Sequence, residues 1–516
     1  MEFLYQSFRL AIFCVAVAAD EFLCYHVEKF LEADSLNRIR TRFAPSPTGY
    51  MHIGNLRTAL YAYLFAKSQD GDFILRIEDT DRARYVSDAV EFIERTLAAA
   101  QIIPDEDPRK GGKFAPYVQS ERMDIYKKYA EQLVESGHAY RCFCSGEENT
   151  SDGNKFGGYN RHCRDLPPAE VEKNLSEGKP YVIRQKMPLI GETTFFDVLH
   201  GNITIANSEL EDQVLLKSDG MPTYNFANVV DDHLMEVSHI IRGTEFITST
   251  PKHVLLYEFF GWELPTFIHL APVMGKSADG TISKLSKRHG ATSFEDLVSA
   301  GYLPAAITNY VALLGWSPKN SCQEIFSMDE LIKNFSLDGL SKSPAVFDYA
   351  KLDWMNGEYF KAMSDEKFAV AAQDYLADFD EPRKVFLASL LKTRVAKLSD
   401  IPAMIAFLKK LPPFDAELFT NKRNKITPQK SAEIILPVTE ILNGVSESDW
   451  TLDILNEKIS GFVVESGLKV GTVMWPLRIA LSMQKITPGG VTEILYLLGK
   501  GNSLERLKFS LENLRG

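Results

Sequence analysis

His52 stands in the run Arg42-Phe-Ala-Pro-Ser-Pro-Thr-Gly-Tyr-Met-His52-Ile-Gly54-Asn55. Pro45 and Pro47 stiffen this turn, while Gly49 and Gly54 let backbone amides approach a ligand. An imidazole placed there can hydrogen-bond phosphoryl oxygens as charge moves onto a leaving pyrophosphate. More than two hundred residues downstream, Lys284-Leu-Ser-Lys287-Arg288 is bracketed by Gly275, Gly280 and Gly290. Two ammonium groups on a loop hinged by glycines suit a movable clamp on a triphosphate. A third cluster, Arg76-Ile-Glu78-Asp79-Thr-Asp81-Arg82-Ala-Arg84, offers Glu78 as an acceptor for an ammonium group. A fourth runs from Lys217 through Tyr224, Asn228, Asp231 and Asp232 to Arg242 and Glu245. Arg42 and Arg242 each present a planar fork that matches a carboxylate. If these two arginines converge with Glu78, they favour a small ligand with two carboxylates and one amine.

Taken singly, each cluster has a plainer structural reading. The His52 turn can be a capped helix start, the 284–288 loop a solvated surface, and Arg82 with Arg84 an ion-paired turn. The length of the first run, continuous from Arg42 to Asn55, favours the chemical reading. Cys142, Cys144 and Cys163 are candidate ligands for a structural zinc, with His162 or Asp165 as the fourth. Reduced thiols in a small core are the competing reading, and no metal is assigned. Lys409, Lys410, Lys422, Arg423, Lys425 and Lys430 make the C-terminal half locally basic, as phosphate contacts or as a solvated face.

Parallel strands with helical crossovers would place these groups together. Residues 38–44 alternate in polarity like a half-buried strand, and Pro45 to Gly49 force a turn. Leu56, Leu60, Tyr63, Leu64 and Lys67 have the spacing of one helix face, with Asn55 as the expected N-cap and Gly71 as the stop. Phe73–Ile77 reads as the next strand. In such a unit, ligands sit beyond the carboxyl ends of the strands. The pattern is interrupted from about 104 to 225 and resumes near Val229. After about 350 the apolar spacing becomes helical, with stripes at Phe368, Ala371, Ala372 and Tyr375, at Leu387, Leu390, Leu391 and Leu398, and at Leu504, Leu507, Leu511 and Leu514. The expected fold class is therefore α/β: a parallel-sheet, Rossmann-like nucleotide-binding domain with an inserted α+β domain and an all-helical C-terminal region. The expected boundaries are 39–117 and 226–290 for the nucleotide domain and 118–225 for the insert. A connecting domain follows at 291–360, and a helical domain at 361–516.

Composition sets outer limits. The 516 residues carry a net charge of −12, so a nucleic-acid partner must be held by local patches rather than by the overall field. Six cysteines in such a chain do not make a disulfide framework. No apolar run reaches the ~18–20 residues of a bilayer span. The stretch Leu10–Ala19 is too short to span, and residues 1–38 hold six acids, which fits a transit sequence badly. That stretch is set apart from the fold as an extension with a targeting role as one reading.

The His52 and Lys284 runs resemble the two signatures of class I aminoacyl-tRNA synthetases, and the wording around them resembles the bacterial-type glutamyl-tRNA synthetases. The likeness is strongest at 42–58, 73–84, 214–245 and 284–293, and extends to "LDWMNGEY" at 352–359 and "LKVGTVMWPLRIAL" at 468–481. It implies ATP with Mg2+, L-glutamate and tRNA-Glu as partners, with tRNA-Gln as an alternative, and it implies a monomer with no membrane association. By resemblance, Arg42, Ala44, Glu78, Tyr224, Asn228 and Arg242 bind glutamate. Ser46, His52, Gly54, Glu245, Lys284, Leu285, Ser286, Lys287 and Arg288 bind ATP, with His52, Lys284 and Lys287 catalytic. The insert would grip the acceptor end of tRNA, and the helical region the anticodon. "HIGN" stands where the family has "HIGH", "KLSKR" where it has "KMSKS", and Phe246 where tryptophan is frequent. The fourth ligand of the zinc-binding members falls near Asp165. Three alternatives stand beside it: a glutaminyl enzyme, which shares the fold but usually has a different first signature and an all-β anticodon region; a truncated enzyme that glutamylates a modified nucleoside in tRNA and lacks the anticodon domains; and a catalytically inactive tRNA-binding paralogue. A bacterial-type core behind an N-terminal extension suggests a mitochondrial location, with the bacterial cytoplasm as the alternative.

Overall fold

The computed structural model describes residues 38–47, 51–81, 86, 88–144, 159–277, 279–319 and 321–515, with the backbone but not the side chain of Lys287. The N-terminal stretch read as an extension, the turn residues 48–50 and both Arg82 and Arg84 lie outside the described residues. The chain forms two compact units. One runs up to Asp296 and includes Ile307–Asp348, and the other consists of Leu297–Ala306 and the residues from Tyr349 onward. The stretch 291–360, expected as a single domain, is thus shared between the two.

In the first unit, strands Arg40–Phe43 and Asp72–Leu75 pair in parallel, linked by the helix Ile53–Ser68. Ser238 joins this pair to a four-stranded sheet, donating its backbone N–H to the Arg40 carbonyl at 3.0 Å. That sheet has the order Gly201–Ala206, Glu192–Asp197, Thr266–Leu270, His239–Gly243, and its last two strands are parallel. Glu192–Asp197 and Gly201–Ala206 fall within 118–225 in sequence, yet they extend the main sheet, because Asp197 pairs with Phe267. The rest of that stretch builds a separate antiparallel sheet of Ala139–Cys142, Val182–Gln185 and Val214–Leu216.

Two local expectations change. Arg40–Phe43 is buried at every position instead of alternating, because Arg40 is paired with Asp72 and Glu106 and Arg42 with Asp232. A strand buried on both faces can carry charge when each charge has a partner. Helix Ile53–Ser68 likewise buries Leu56, Arg57 and all of Ala59–Ala66, so it is enclosed rather than one-sided. His52, not Asn55, is its N-cap: Nδ1 accepts from the Gly54 N–H at 3.3 Å.

The second unit is helical, from Tyr349–Ala362 to Val491–Arg515. Ser364 caps its helix as expected, its hydroxyl accepting from the Lys367 N–H. Leu387 and Leu391 lie on the helix Glu381–Leu391, whereas Leu398 belongs to the next short turn. Phe360, Phe368, Leu387, Leu391, Leu495 and Leu507 share one apolar core. Among the described residues no helix is long and apolar enough to cross a membrane.

Candidate functional site

The carboxyl ends of strands Arg40–Phe43 and His239–Gly243 open onto a cavity of about 470 Å³. Arg42, Ala44, Ser46, His52, Gly54, Glu78, Tyr224, Asn228, Arg242, Glu245, Lys284 and Leu285 all line it. The parallel sheet explains the convergence, since both strands end at the same edge and the following turns bend over it. Ser286 and Arg288 are not brought to the wall. Ser286 turns to His289, and Arg288 donates to Ser283 Oγ at 3.3 Å. The Lys287 side chain lies outside the described residues.

A chain of buried charges supports one side of this cavity. Asp232, fully buried, accepts from Arg42 Nε at 3.0 Å and Nη2 at 3.2 Å, and from Arg76 Nη1 at 2.8 Å. Arg76 Nη2 in turn donates to Glu78 Oε1 at 2.9 Å. Burial alone pushes the Asp232 carboxyl up, but the two guanidinium groups bring it below the ordinary carboxylate value. Burial raises Glu78 and outweighs the pull of Arg76 and Arg42. Among the described residues, the buried Glu78 Oε2 and Asn228 Oδ1 have no hydrogen-bond partner. Tyr224 is pushed up to about 12 by burial and by the Glu78 charge, so it remains a phenol.

Arg242 is held quite differently. Its Nε donates to His269 Nε2 at 3.1 Å, its Nη2 to Thr250 Oγ1 at 2.8 Å, and both Nη atoms reach His253 Nδ1 at 3.3 Å. Among the described residues it forms no ion pair with a carboxylate. Phe246, where the family resemblance expects tryptophan, packs its ring 5.2 Å from this guanidinium and 5.4 Å from the Tyr224 ring.

The phosphate end is built from His52, Lys284 and Leu285. Burial, then the Lys284 charge, lowers the His52 pKa, so its ring is neutral near pH 7. A neutral ring can both accept from the Gly54 N–H and donate to an oxyanion. His289 ties the Lys284 loop down, accepting from the Ser286 N–H at 3.1 Å and meeting Ser283 Oγ at 3.2 Å. Arg57 also lines the cavity, anchored by the Leu314 carbonyl at 3.0 Å and by that of Ala271.

The three cysteine sulfurs lie within 4.8 Å of one another. The fourth group is neither His162 nor Asp165. His162 is exposed, and the Asp165 carboxylate, 77% exposed, pairs with Lys186. Tyr159 takes that position, its Oη 3.2 Å from Cys142 Sγ and 3.9 Å from Cys144 Sγ. Burial pushes the Cys142 thiol up, but the Tyr159 hydroxyl, the Cys144 backbone and Arg184 bring it below its ordinary value.

Asp232 and His289 lie inside the sequence clusters but carry no recognisable role there, and His253, His269 and Arg57 lie outside them. An acidic pair, Asp231-Asp232, directly after Val229-Val230 on an apolar helix was a usable signal of buried acids.

The profile described as "tRNA synthetases class I (E and Q), catalytic domain" matches residues 38–354, and one described as "Anticodon binding domain" matches 354–511. A glutamate–tRNA ligase of Clostridium botulinum (strain Eklund 17B) is 50% identical over 489 residues, covering 93% of this chain and 99% of that protein. The chain belongs to the glutamate–tRNA ligase family of class I tRNA synthetases. The Clostridium acetobutylicum glutamate–tRNA ligase is 49% identical over 487 residues, with the same coverage. The crystal structure of a glutamate tRNA ligase from Elizabethkingia meningosepticum, in complex with its amino acid, superposes with a TM-score of 0.84 at 38% identity. That match spans 93% of this chain and all of the other. The catalytic-domain match spans every residue that lines the cavity.

Proposed function

We propose that this chain activates L-glutamate with ATP and transfers it to tRNA. The α-carboxylate of glutamate attacks the α-phosphate of ATP, giving glutamyl adenylate and releasing pyrophosphate. A ribose hydroxyl of the terminal adenosine of tRNA then attacks the acyl carbon, and AMP leaves. No protein nucleophile takes part. The chain's own task is to align the reactants and to meet charge on the leaving pyrophosphate.

One observation carries the reading: the cavity's groups left without partners. Among the described residues, Arg242 lines the cavity with no carboxylate on it, and Glu78 Oε2 and Asn228 Oδ1 lack donors. A ligand with a carboxylate and an ammonium group completes all three. Arg42, Ala44 and Tyr224 would line the same amino-acid end, and Ser46, His52, Gly54, Glu245, Lys284 and Leu285 the ATP end. Lys287, with Ser286 and Arg288, would reach the phosphates from the 284–288 loop. Mg2+ would accompany ATP on its phosphates, as is usual for this ion. Glutamate-dependent ATP–pyrophosphate exchange in the presence of tRNA tests the reading. Exchange should appear with glutamate and fall by orders of magnitude in Lys287→Ala, whose tRNA binding should persist. Full exchange in that variant would overturn the clamp assignment.

The helical unit would bind the anticodon and the insert the acceptor end. Of the basic candidates, Lys409 already pairs with Asp378 and Lys430 with Glu433, which leaves Lys410, Lys422, Arg423 and Lys425 as the better phosphate contacts. Charging purified tRNA-Glu and tRNA-Gln side by side decides whether the second is also a substrate, and sedimentation equilibrium tests the monomer. Three cysteine sulfurs would hold a structural zinc, with Tyr159 Oη as the neighbouring oxygen for the fourth position. The expected result is one zinc per chain by elemental analysis, lost in Cys144→Ser and weakened in Tyr159→Phe. A metal-free wild-type protein would refute it. The mitochondrial reading rests on residues 1–38, and the relatives named above are bacterial. Fusing that stretch to a fluorescent reporter tests it, with a diffuse cytoplasmic signal the refuting outcome.

A further inference from the structure

The two arginines of the amino-acid end are treated in opposite ways by the protein behind them. Arg42 is bound edge-on by the Asp232 carboxylate, so its charge is met from within. Arg242 is bound by two imidazoles and a hydroxyl. Because a guanidinium can only donate, His269 Nε2 and His253 Nδ1 must both be acceptors. That sets both tautomers. His269 carries its proton on Nδ1 and donates it to Asp197 Oδ2 at 2.8 Å. His253 carries its own on Nε2 and donates it to Asn225 Oδ1 at 2.9 Å. Thr250 Oγ1 gives its proton to the Phe246 carbonyl at 2.8 Å and keeps a lone pair for Arg242.

The placement follows from the sheet. Asp197, His269 and Arg242 lie on three adjacent strands, with Arg242 opposite His269 in register. The helix Thr250–Phe260 supplies Thr250 and His253 from the side. Asp197, His269, Thr250, His253 and Arg242 are all buried. Asp197 stands one imidazole width away from the guanidinium. Its oxygens also accept three backbone N–H groups, from Leu199, His200 and His269, so little of its charge is directed at Arg242.

We propose that His253, His269 and Thr250 are positioning residues that form a neutral cradle for Arg242, holding its fork in place without cancelling its charge. Discrimination of glutamate from its amide then comes from this cradle as well as from the arginine itself. A ligand carboxylate supplies the missing countercharge, whereas an amide leaves a buried cation uncompensated. The inference rests on reading the cavity as a glutamate site.

The test is a matched pair at one position. In His253→Asn an amide oxygen replaces Nδ1, and in His253→Asp a carboxylate oxygen of the same shape does so. Both lose the bond to Asn225, so only charge differs between them. Full-length protein is assayed by ATP–pyrophosphate exchange with tRNA present, using L-glutamate and L-glutamine. The ratio of kcat/KM for the two amino acids should fall in His253→Asp by about ten- to a hundred-fold relative to His253→Asn, the worth of one charge-assisted hydrogen bond. The loss should lie in the KM for glutamate, with the KM for ATP unchanged. Equal ratios in the two variants overturn the cradle. Absence of any glutamate-dependent exchange in the wild-type protein overturns the glutamate reading instead. If His253→Asp does not fold, Thr250→Asp against Thr250→Asn poses the same question at Nη2, with the same refuting result.

Discussion

Asp232→Asn should both destabilise the first unit and loosen glutamate binding, and the size of each effect follows from four contacts. Oδ1 of Asp232 accepts from Arg76 Nη1 at 2.8 Å and Arg42 Nε at 3.0 Å, while Oδ2 accepts from Arg42 Nη2 at 3.2 Å and from Nε at 3.3 Å. An asparagine amide can keep its oxygen on only one of these edges. With the oxygen at Oδ1, its NH2 group points at the Nη2 of Arg42, donor against donor. Turned over, it points at Arg76. One guanidinium must move either way, and two buried cations lose their shared countercharge. Breaking a buried pair of this kind costs about 3–5 kcal/mol. That corresponds to a fall in Tm of roughly 5–15 °C for a unit of this size. Arg42 lines the cavity, so the KM for glutamate should rise by about ten-fold or more, on the scale of one bond to a charged group. The neighbouring acid is the control. Asp231 accepts from Arg122 Nε at 2.7 Å, Tyr126 Oη at 2.8 Å and Gln119 Nε2 at 2.9 Å and stands 3.7 Å from Arg76 Nε, but it does not accept from Arg42. Asp231→Asn should therefore melt earlier, yet keep its KM for glutamate within about three-fold, below the worth of one hydrogen bond to a charged group. Thermal melting followed by exchange kinetics at fixed ATP measures both. If Asp232→Asn binds glutamate as the wild type does, or if Asp231→Asn weakens it equally, Arg42 does not depend on its tether and the reasoning fails.

Three further expectations concern the same unit. Glu78→Gln removes a charged acceptor beside Asn228, so it should raise the KM for glutamate by about ten-fold while leaving that for ATP alone; equal effects on both would refute the role. Gly275→Ala puts a Cβ 2.6 Å from the His289 ring, which anchors the Lys284 loop, and should lower the rate of adenylate formation more than it lowers Tm. Stability should respond to mild acid. Burial lowers the pKa values of His52, His233, His239, His253 and His269 below 6.5, so the unfolded chain binds more protons than the folded one there. Their contribution is complete above pH 6.5 and is lost as pH falls below it, whereas Asp197 and Asp232, held below 3.8, act only in stronger acid. Urea midpoints should be flat from pH 7 to 8 and decline from 6.5 downward, and a midpoint constant to pH 5 would contradict this.

Short-range order made much of the architecture readable. Proline and glycine around Ser46 mark a turn wherever the chain folds, and the run of alternating strand and helix lengths implies a parallel sheet with a ligand edge. The helical spacing of Phe368 or Leu507 likewise needs no knowledge of the partner helix, since the period alone says which face is apolar. Types and positions of the cavity residues were legible for the same reason, as they sit in a few contiguous runs. The burial of Arg40–Phe43 on both faces was not, because alternating polarity looks the same whether a charge meets water or a carboxylate.

What the amino-acid order determined by itself is the set of local conformations and the chemical groups available at the strand ends. Tertiary structure alone decided who neutralises whom. Asp232 reaches Arg42 across 190 positions and Arg76 across 156, and His253 and His269 surround Arg242 from a helix and a neighbouring strand. Tyr159, not His162 or Asp165, completes the thiol cluster, and His52, not Asn55, caps its helix. Periodicity records which side of an element faces inward. The partner of a buried charge is set by how elements distant in the chain approach, and that approach is settled only when the whole sheet and its helices pack.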